Sequence, residues 1–158
     1  MERILKIMVT QVKFYDKAED KKLKFAVIIS RSKGKWVFCR HKDRDTYEVP
    51  GGHREESENI NDTARRELWE ETGAVEFDMI PLCVYSVCGE TRDGECLKEE
   101  SLGMLYYAEI YSFEEELHHE IAEVIITEQM PENWTYPDIQ PLLMEKYKEI
   151  AFDMCQDL

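Results

Sequence analysis

The sequence has no apolar run approaching the roughly 20 residues a helix needs to cross a bilayer. Its opening stretch, MERILKIMVTQVKFYD, mixes charges with alternating apolar positions. It lacks the apolar core and small-residue cleavage site of a signal peptide. Neither a membrane span nor an export leader is expected, and the expected location is the cytoplasm. The sequence also has no CxxC pair. Its five cysteines (Cys39, Cys83, Cys88, Cys96 and Cys155) are odd in number, which argues against a disulfide framework or zinc knuckle and for reduced, mostly buried thiols. Bases are scarce: 20 Lys and Arg stand against 34 Asp and Glu, for a net charge of −14. Such a surface repels polyanions at long range, so nonspecific nucleic-acid binding is not expected. If the substrate is itself a phosphate anion, bound cations must mediate the contact. No internal repeat or low-complexity segment is present.

What is there reads as one domain over 1–158, with 43% hydrophobic and 34% charged residues, both globular values. Apolar alternation through Ile4, Ile7, Val9, Val12 and Phe14 predicts a first strand over 4–15, and 16–22 is a charged connector. The β-branched run 25–29 reads as a buried strand. A tight turn at 32–34 returns into a strand at 35–39, a hairpin. Residues 40–44, RHKDR, are a basic cluster, either a solvated loop or a foothold for phosphates through Arg40, Lys42 and Arg44. A short strand over 46–49 feeds Pro50-Gly51-Gly52, read as a glycine turn whose backbone carbonyl can face a cation. Asn59 is a plausible helix N-cap with Asp62 in the capping-box position, and the helix runs to about Thr72, ended by Gly73. Beyond it come a strand over 74–87 bent near Pro81, a polar hairpin loop over 89–101, a strand over 102–111 and an acidic connector over 113–119 with one helical turn. A strand over 121–127, an irregular stretch over 128–137 and a terminal helix over 138–154 complete the chain. The order implies a fold of the α/β class (α+β type), a mixed sheet packed between helices.

The central helix is locally peculiar. Glu67, Glu70 and Glu71 fall within roughly a 100° arc at about 100° per residue, with Arg66 bordering it and Ala64 and Leu68 turned toward the core. Like charges at i,i+4 cost roughly 0.2–0.5 kcal/mol, and acids in a last turn oppose the helix dipole. The Glu70-Glu71 pair is opposed twice. A hard cation with oxygen ligands reverses both penalties, and Mg2+ suits a site of few carboxylates, several waters and substrate phosphate oxygens. Taken alone, two acids on a helix are also an ordinary solvated face paired with Arg65 and Arg66. The weight comes from the surrounding spacing.

Gly52, five residues, Glu58, seven residues, Arg66-Glu67-Leu68, one residue, Glu70-Glu71, one residue, Gly73 resembles the full signature of the Nudix hydrolases over residues 52–74, most closely the MutT-like members. Ala74 departs from it, where a larger aliphatic is usual; Val75 is expected to supply that packing. The resemblance implies the Nudix fold and hydrolysis of a nucleoside diphosphate linked to a further group. It implies Glu67, Glu70 and Glu71 as metal ligands together with the carbonyl of Gly51, Arg66 orienting Glu67, and Glu58 supporting the loop–helix junction with Gly52 and Gly73 as motif glycines. The general base is Glu67 or a carboxylate from a later loop. Glu120 and Glu123 are candidates for a further metal ligand, and are equally ordinary as an acidic strand end. His118 and His119 read as solvent residues. The implied cofactor is Mg2+, with Mn2+ as the alternative. Bottom-up, such a cation lowers the pKa of bound water and shields the leaving group, and a carboxylate takes the proton.

The substrate is less legible. Phe38, Tyr47, Tyr85, Tyr106 and Tyr107 are candidate stacking platforms for a base. A family member that clears oxidised purines reads its base with a Trp and an Asp pair on the last core strand; Ile125-Ile126-Thr127-Glu128-Gln129 has neither. The leading expectation is hydrolysis of nucleoside triphosphates, including oxidised ones of the 8-oxo-dGTP kind, to monophosphate and pyrophosphate. The alternatives are an RNA 5′-pyrophosphohydrolase and an ADP-ribose or dinucleoside polyphosphate hydrolase. A non-catalytic nucleotide-binding module is the reading of another class, and such modules usually lose signature glutamates that this chain keeps. Trp134 and Tyr136 are open to covering the pocket, capping the core or making a dimer contact, and are read as structural cover. The sequence carries no reading of oligomeric state.

Overall fold

The computed structural model describes residues 9–90, 99–117 and 120–156. The elements run β1 (Val9–Tyr15), β2 (Leu23–Ser32), β3 (Lys35–His41), β4 (Gly51–His53), α1 (Ile60–Thr72), β5 (Ala74–Glu90), β6 (Ser101–Phe113), β7 (Ile121–Thr127) and α2 (Gln140–Gln156). The strands form one sheet in the order β1-β5-β6-β2-β3-β7, with β4 added beside β2. Strands β2 and β6 are parallel; the other pairs are antiparallel.

The apolar run at the centre of β2 explains the layering. Successive side chains of a strand point to opposite faces. Ala26 and Ile28 pack in a cluster with Ile60, Ala64 and Leu68 of α1, whereas Val27 and Ile29 pack with Leu143 and Met144 of α2. A helix therefore covers each face of β2, as the sequence predicts for a mixed sheet between helices. The β2–β3 hairpin closes through Lys33 and Gly34, at φ 52° and 80°, a left-handed pair that matches the strand twist.

Helix α1 starts and stops where expected. The Asn59 side chain accepts the Asp62 N–H at 2.9 Å, and Asp62 accepts the Asn59 N–H at 3.3 Å. Gly73 takes the left-handed conformation (φ 77°, ψ 13°) and returns its N–H to the Trp69 carbonyl at 2.8 Å. A side chain there would be strained.

Several local expectations are corrected. Gly51 and Gly52 are not a turn: they lie in β4, paired with Val27 and Ala26, and neither has a positive φ. What requires glycine is close approach, since a Cβ on Gly51 would sit 2.5 Å from the Ala26 carbonyl oxygen. Residues 46–49 form no strand; Tyr47 and Glu48 make single bridges to Trp134 and Cys39. Ala74 itself fills the core site, 1% exposed, and Val75 points outward at 51%, because adjacent strand residues face opposite ways. Strand β5 reaches Glu90 and shifts register between Pro81 and Cys83, the expected bend. Strand β6 extends to Phe113, and residues 114–117 show bends without a helical turn. Helix α2 begins at Gln140, after a turn over 137–139. Cys39 and Cys83 are free and buried, but Cys155 is free and exposed and Cys88 is disulfide-bonded, so reduced, buried thiols describe only part of the set. Residues 4–8 of the first strand, most of the loop over 89–101 with Cys96, and His118 and His119 lie outside the described residues.

Candidate active site

Arg66 is the hub of one flank of α1. Its Nε donates to Glu58 Oε2 at 2.7 Å and Nη2 to Glu58 Oε1 at 3.0 Å. Nη2 also reaches the His53 carbonyl at 3.0 Å, and Nη1 donates to Glu67 at 2.8 Å and Glu70 at 3.1 Å. Glu58 further accepts the Glu55 N–H and the Thr63 hydroxyl, both at 3.0 Å. The Arg66 guanidinium holds the Glu58 carboxyl down at about 2. Glu58 thus ties the entry loop to the helix, and Arg66 fixes two of the three helix acids.

The other flank belongs to Glu71. Its Oε1 accepts the Gly51 N–H at 2.7 Å, and its Oε2 lies 2.8 Å from His41 Nε2. Glu48 Oε1 stands 3.7 Å from the same nitrogen and accepts from Arg44 Nη1 at 3.2 Å. Glu48 and Glu71 are buried, at 5% and 6% exposure. His41 is pushed up, first by its hydrogen bond to Glu71. Glu48 is pushed up by burial and then by the Glu71 charge. The Cys39 thiol behind them is raised by burial and by the Glu71, Glu48 and Glu67 charges.

Between the flanks lies a cavity of about 280 Å3 lined by His41, Glu67, Glu70, Glu71, Glu120 and Ile121. Burial, followed by the Glu71 charge, pushes the Glu67 carboxyl up to about 7. Gly52 makes room for it: a Cβ there would lie 2.3 Å from the Glu67 carboxyl carbon. Four carboxylates facing one small cavity, at the helix end where the dipole is also negative, form an oxygen-rich donor set of the kind a hard divalent cation takes. His41 and Glu48 crowd the inner side of Glu71, with polar atoms of the three groups within 4.8 Å of one another. The residues present therefore fit a divalent metal.

Across β4 a second cavity, about 360 Å3, opens on the α2 face. Phe25, Val27, Tyr85, Val87, Tyr136, Ile139 and Leu143 supply apolar lining, with Glu48, His53, Ser101 and Gln140 as polar groups and Gly51 and Gly52 as the wall shared with the acids. The Gln140 amide is anchored to the backbone of Val49, accepting its N–H at 2.8 Å.

The structure separates the two downstream acids. Glu120 lines the acidic cavity, whereas Glu123 is engaged by the Tyr47 hydroxyl and lies 3.6 Å from Arg40 Nε. None of Arg40, Lys42, Arg44 and Tyr47 lines either cavity. Arg40 donates to the Arg44 carbonyl, and Arg44 serves Glu48. Of the aromatic platforms, only Tyr85 lines the apolar cleft. Phe38 and Tyr106 are fully buried core, and Tyr107 stacks on Tyr147 at 4.8 Å. Trp134 packs edge-on against Phe38, as cover for the core, while Tyr136 lines the cleft. Sequence reasoning missed His41, Glu48 and Gln140. His41 was visible only as part of a basic cluster, and Glu48 only as an acid beside the glycines.

A NUDIX domain profile matches residues 20–144, and the chain belongs to the Nudix hydrolase family. It is accordingly a pyrophosphohydrolase acting on acid anhydrides, in a family that uses divalent metal ions and small nucleotide substrates. Among curated proteins it is 29% identical over 149 residues to YtkD of Bacillus subtilis (strain 168), which carries a provisional designation as an 8-oxo-dGTP diphosphatase; the match spans 88% of this chain and 89% of YtkD. Among solved structures it is similar to a point mutant of the Bacillus subtilis pyrophosphohydrolase BsRppH, with a TM-score of 0.70 and 28% identity over 89% of this chain and 90% of that one. A UDP-X diphosphatase shares the fold at a TM-score of 0.66 and 18% identity, over 87% of this chain and 66% of the other. Among the described residues no helix is long and apolar enough to cross a membrane.

Proposed function

We propose that this chain hydrolyses a phosphoanhydride bond of a nucleoside triphosphate, oxidised purine nucleotides included, to the monophosphate and pyrophosphate, with Mg2+ or Mn2+ as cofactor. The observation that carries the reading is the pairing of two cavities across β4: an acidic one lined by Glu67, Glu70, Glu71 and Glu120, and an apolar one sized for a nucleoside. A base in the cleft, between Phe25, Tyr85 and Tyr136, leaves its phosphates to pass the Gly51–Gly52 edge toward the acids. The likeness to YtkD supports the same substrate class.

In this reading Glu67, Glu70, Glu71 and Glu120 hold the cation, joined by the Gly51 carbonyl. When bound, the cation supplies an activated water and neutralises charge on the leaving phosphate. The chain's own part is positional. Arg66 tethers Glu67 and Glu70 to one nitrogen, and Glu58 holds Arg66. The β4 glycines let the acids and the substrate approach the backbone. The proton of the attacking water goes to a carboxylate of the same cavity, Glu67 or Glu120.

Hydrolysis of a 5′-triphosphorylated RNA end is the second reading. A wide groove running on past His53 with Lys21, Lys24 and Arg54 on its walls favours it; the likeness to the pyrophosphohydrolase BsRppH is consistent with either reading. Glu55, Glu56, Glu58 and Asp62 line the same groove and oppose a long polyanion.

One screen tests both readings. Nucleoside triphosphates (normal and 8-oxo), ADP-ribose, dinucleoside polyphosphates and triphosphorylated RNA are offered with Mg2+ or Mn2+, and pyrophosphate and phosphate are measured. The proposal expects pyrophosphate from the free triphosphates. A rate confined to RNA ends would replace it by the second reading, and no turnover of any substrate would overturn both.

A further inference from the structure

We infer that His41 is a positioning residue for the Glu71 carboxylate, with the Arg44–Glu48 pair flanking the same ring nitrogen, and that this orients Glu71 toward the cation of the reaction. The inference rests on the reading of Glu71 as a metal ligand given above.

The need for such a residue follows from counting donors. A guanidinium has five N–H groups. Those of Arg66 go twice to Glu58 and once each to Glu67, Glu70 and the His53 carbonyl. None remains for Glu71, which is buried, four residues from Glu67, and close to the negative end of the helix. A buried carboxylate without donors is costly. Two donors from outside the helix meet this need, the Gly51 N–H on one oxygen and His41 Nε2 on the other. With one hydrogen bond on each oxygen the carboxylate plane is fixed, and each oxygen keeps a lone pair for a further partner.

Local structure delivers His41 to this place. It ends β3, and the β3–β7 ladder slips between Arg40 and His41, where His41 pairs with Ile121. The extra residue, Ala122, lies on β7, and a bulge of this kind bends the strand that carries it. The same edge brings Glu120 to the cavity, because its carbonyl accepts the Lys42 N–H at 2.8 Å. Glu48, held by Arg44, stands 3.7 Å from the same Nε2 that meets Glu71, so its charge flanks that contact. Such carboxylate–histidine arrangements orient ligands from outside the coordination sphere, and losing them costs about 10- to 100-fold in metal affinity or activity.

The test compares His41→Ala, His41→Gln and Glu48→Gln in the full chain. Mn2+ binding is titrated directly by electron paramagnetic resonance, and turnover is followed against Mg2+ concentration at saturating nucleotide. His41→Ala should weaken Mn2+ binding and raise the half-activating Mg2+ concentration about 10- to 100-fold. KM for the nucleotide at saturating Mg2+ should stay unchanged. His41→Gln should recover most of the loss, because its amide N–H can make the same bond, and Glu48→Gln should fall between. If His41→Ala does not fold, as judged by thermal melts, the Gln variants carry the same ordering. Mn2+ binding untouched by the substitutions, a loss confined to KM, or no recovery in His41→Gln would overturn the inference while leaving the ligand reading intact. A wild-type chain that binds no Mn2+ would overturn both.

Discussion

The two flanks of α1 hold their acids by different means. On one, Arg66 gathers Glu58, Glu67 and Glu70, all from the same loop and helix. On the other, Glu71 is held by His41 from the end of β3 and Gly51 from β4, with Glu48 beside the same histidine nitrogen. The first clamp is local in sequence, cationic and part-exposed. The second is assembled from three separated segments and is largely buried. A local clamp can be read from spacing because the helix period alone sets its geometry. A long-range clamp depends on strand register, which no spacing within the helix encodes.

The sharpest test of this contrast is to remove one carboxylate charge from the cavity both clamps serve. Glu70→Gln should lower kcat by about 10²-fold or more, the scale of losing an electrostatic group at the reacting centre, while circular dichroism and thermal melting stay near wild type. Unchanged turnover would remove Glu70 from the ligand set. Next in size, Arg66→Ala strands two carboxylates that are at most 16% exposed in their side chains, Glu58 and Glu67. It should cost about 3 kcal/mol, the lower end for breaking a buried pair, read from urea midpoints. A loss under about 1 kcal/mol would place the pair in the class of surface ion pairs instead.

Gly52→Ala probes the space between the flanks. Its Cβ would collide with Glu67, and overpacking costs typically about 1–3 kcal/mol. Activity should fall more than stability, and equal losses would mean that the glycine matters only to folding. A smaller effect is expected at the helix start, where Asn59→Ala should cost about 1 kcal/mol through loss of the cap. Proteolysis of the first turn or urea unfolding would measure it.

The last test is in pH. The folded Glu58 carboxyl is held at about 2 against an ordinary 4.5, so between these values the folded chain binds fewer protons than the unfolded one. Its contribution to stability is full above the ordinary value and is lost as the pH falls through about 2. Urea midpoints followed downward through that window should decline less steeply in Arg66→Ala than in wild type. Parallel curves would show that Arg66 is not the cause of the lowered value.

Much of the molecule was readable beforehand. The capping box at Asn59, the stop at Gly73, the core side of α1 at Ala64 and Leu68, and the run of β2 all follow from rules that act within a few residues. The misreadings share a different cause. Gly51 and Gly52 looked like a turn because glycine usually relieves backbone strain; here they relieve contact with Ala26 and Glu67, distant in sequence. Val75 looked like a substitute for a larger residue at 74, but strand alternation turns it to solvent. Glu120 and Glu123 were indistinguishable as acids near a strand end until the register of β7 sent one to the cavity and the other to Arg40 and Tyr47. The apolar cleft was invisible because its walls come from β2, β5, α2 and the segment around Tyr136.

Strand β4 has a consequence that reaches beyond either cavity. Its three residues are the partition between acids and cleft: Gly51 lines the apolar side and donates to Glu71 on the other, and Gly52 lines the same side with Glu67 against its back. Whatever fills the cleft leans on the partition that sets two of the acids. If the cleft seats the non-reacting end of a substrate, as proposed, that seating and the alignment of the acids are one mechanical event, and a molecule that fills the cleft poorly should be turned over slowly as well as bound weakly.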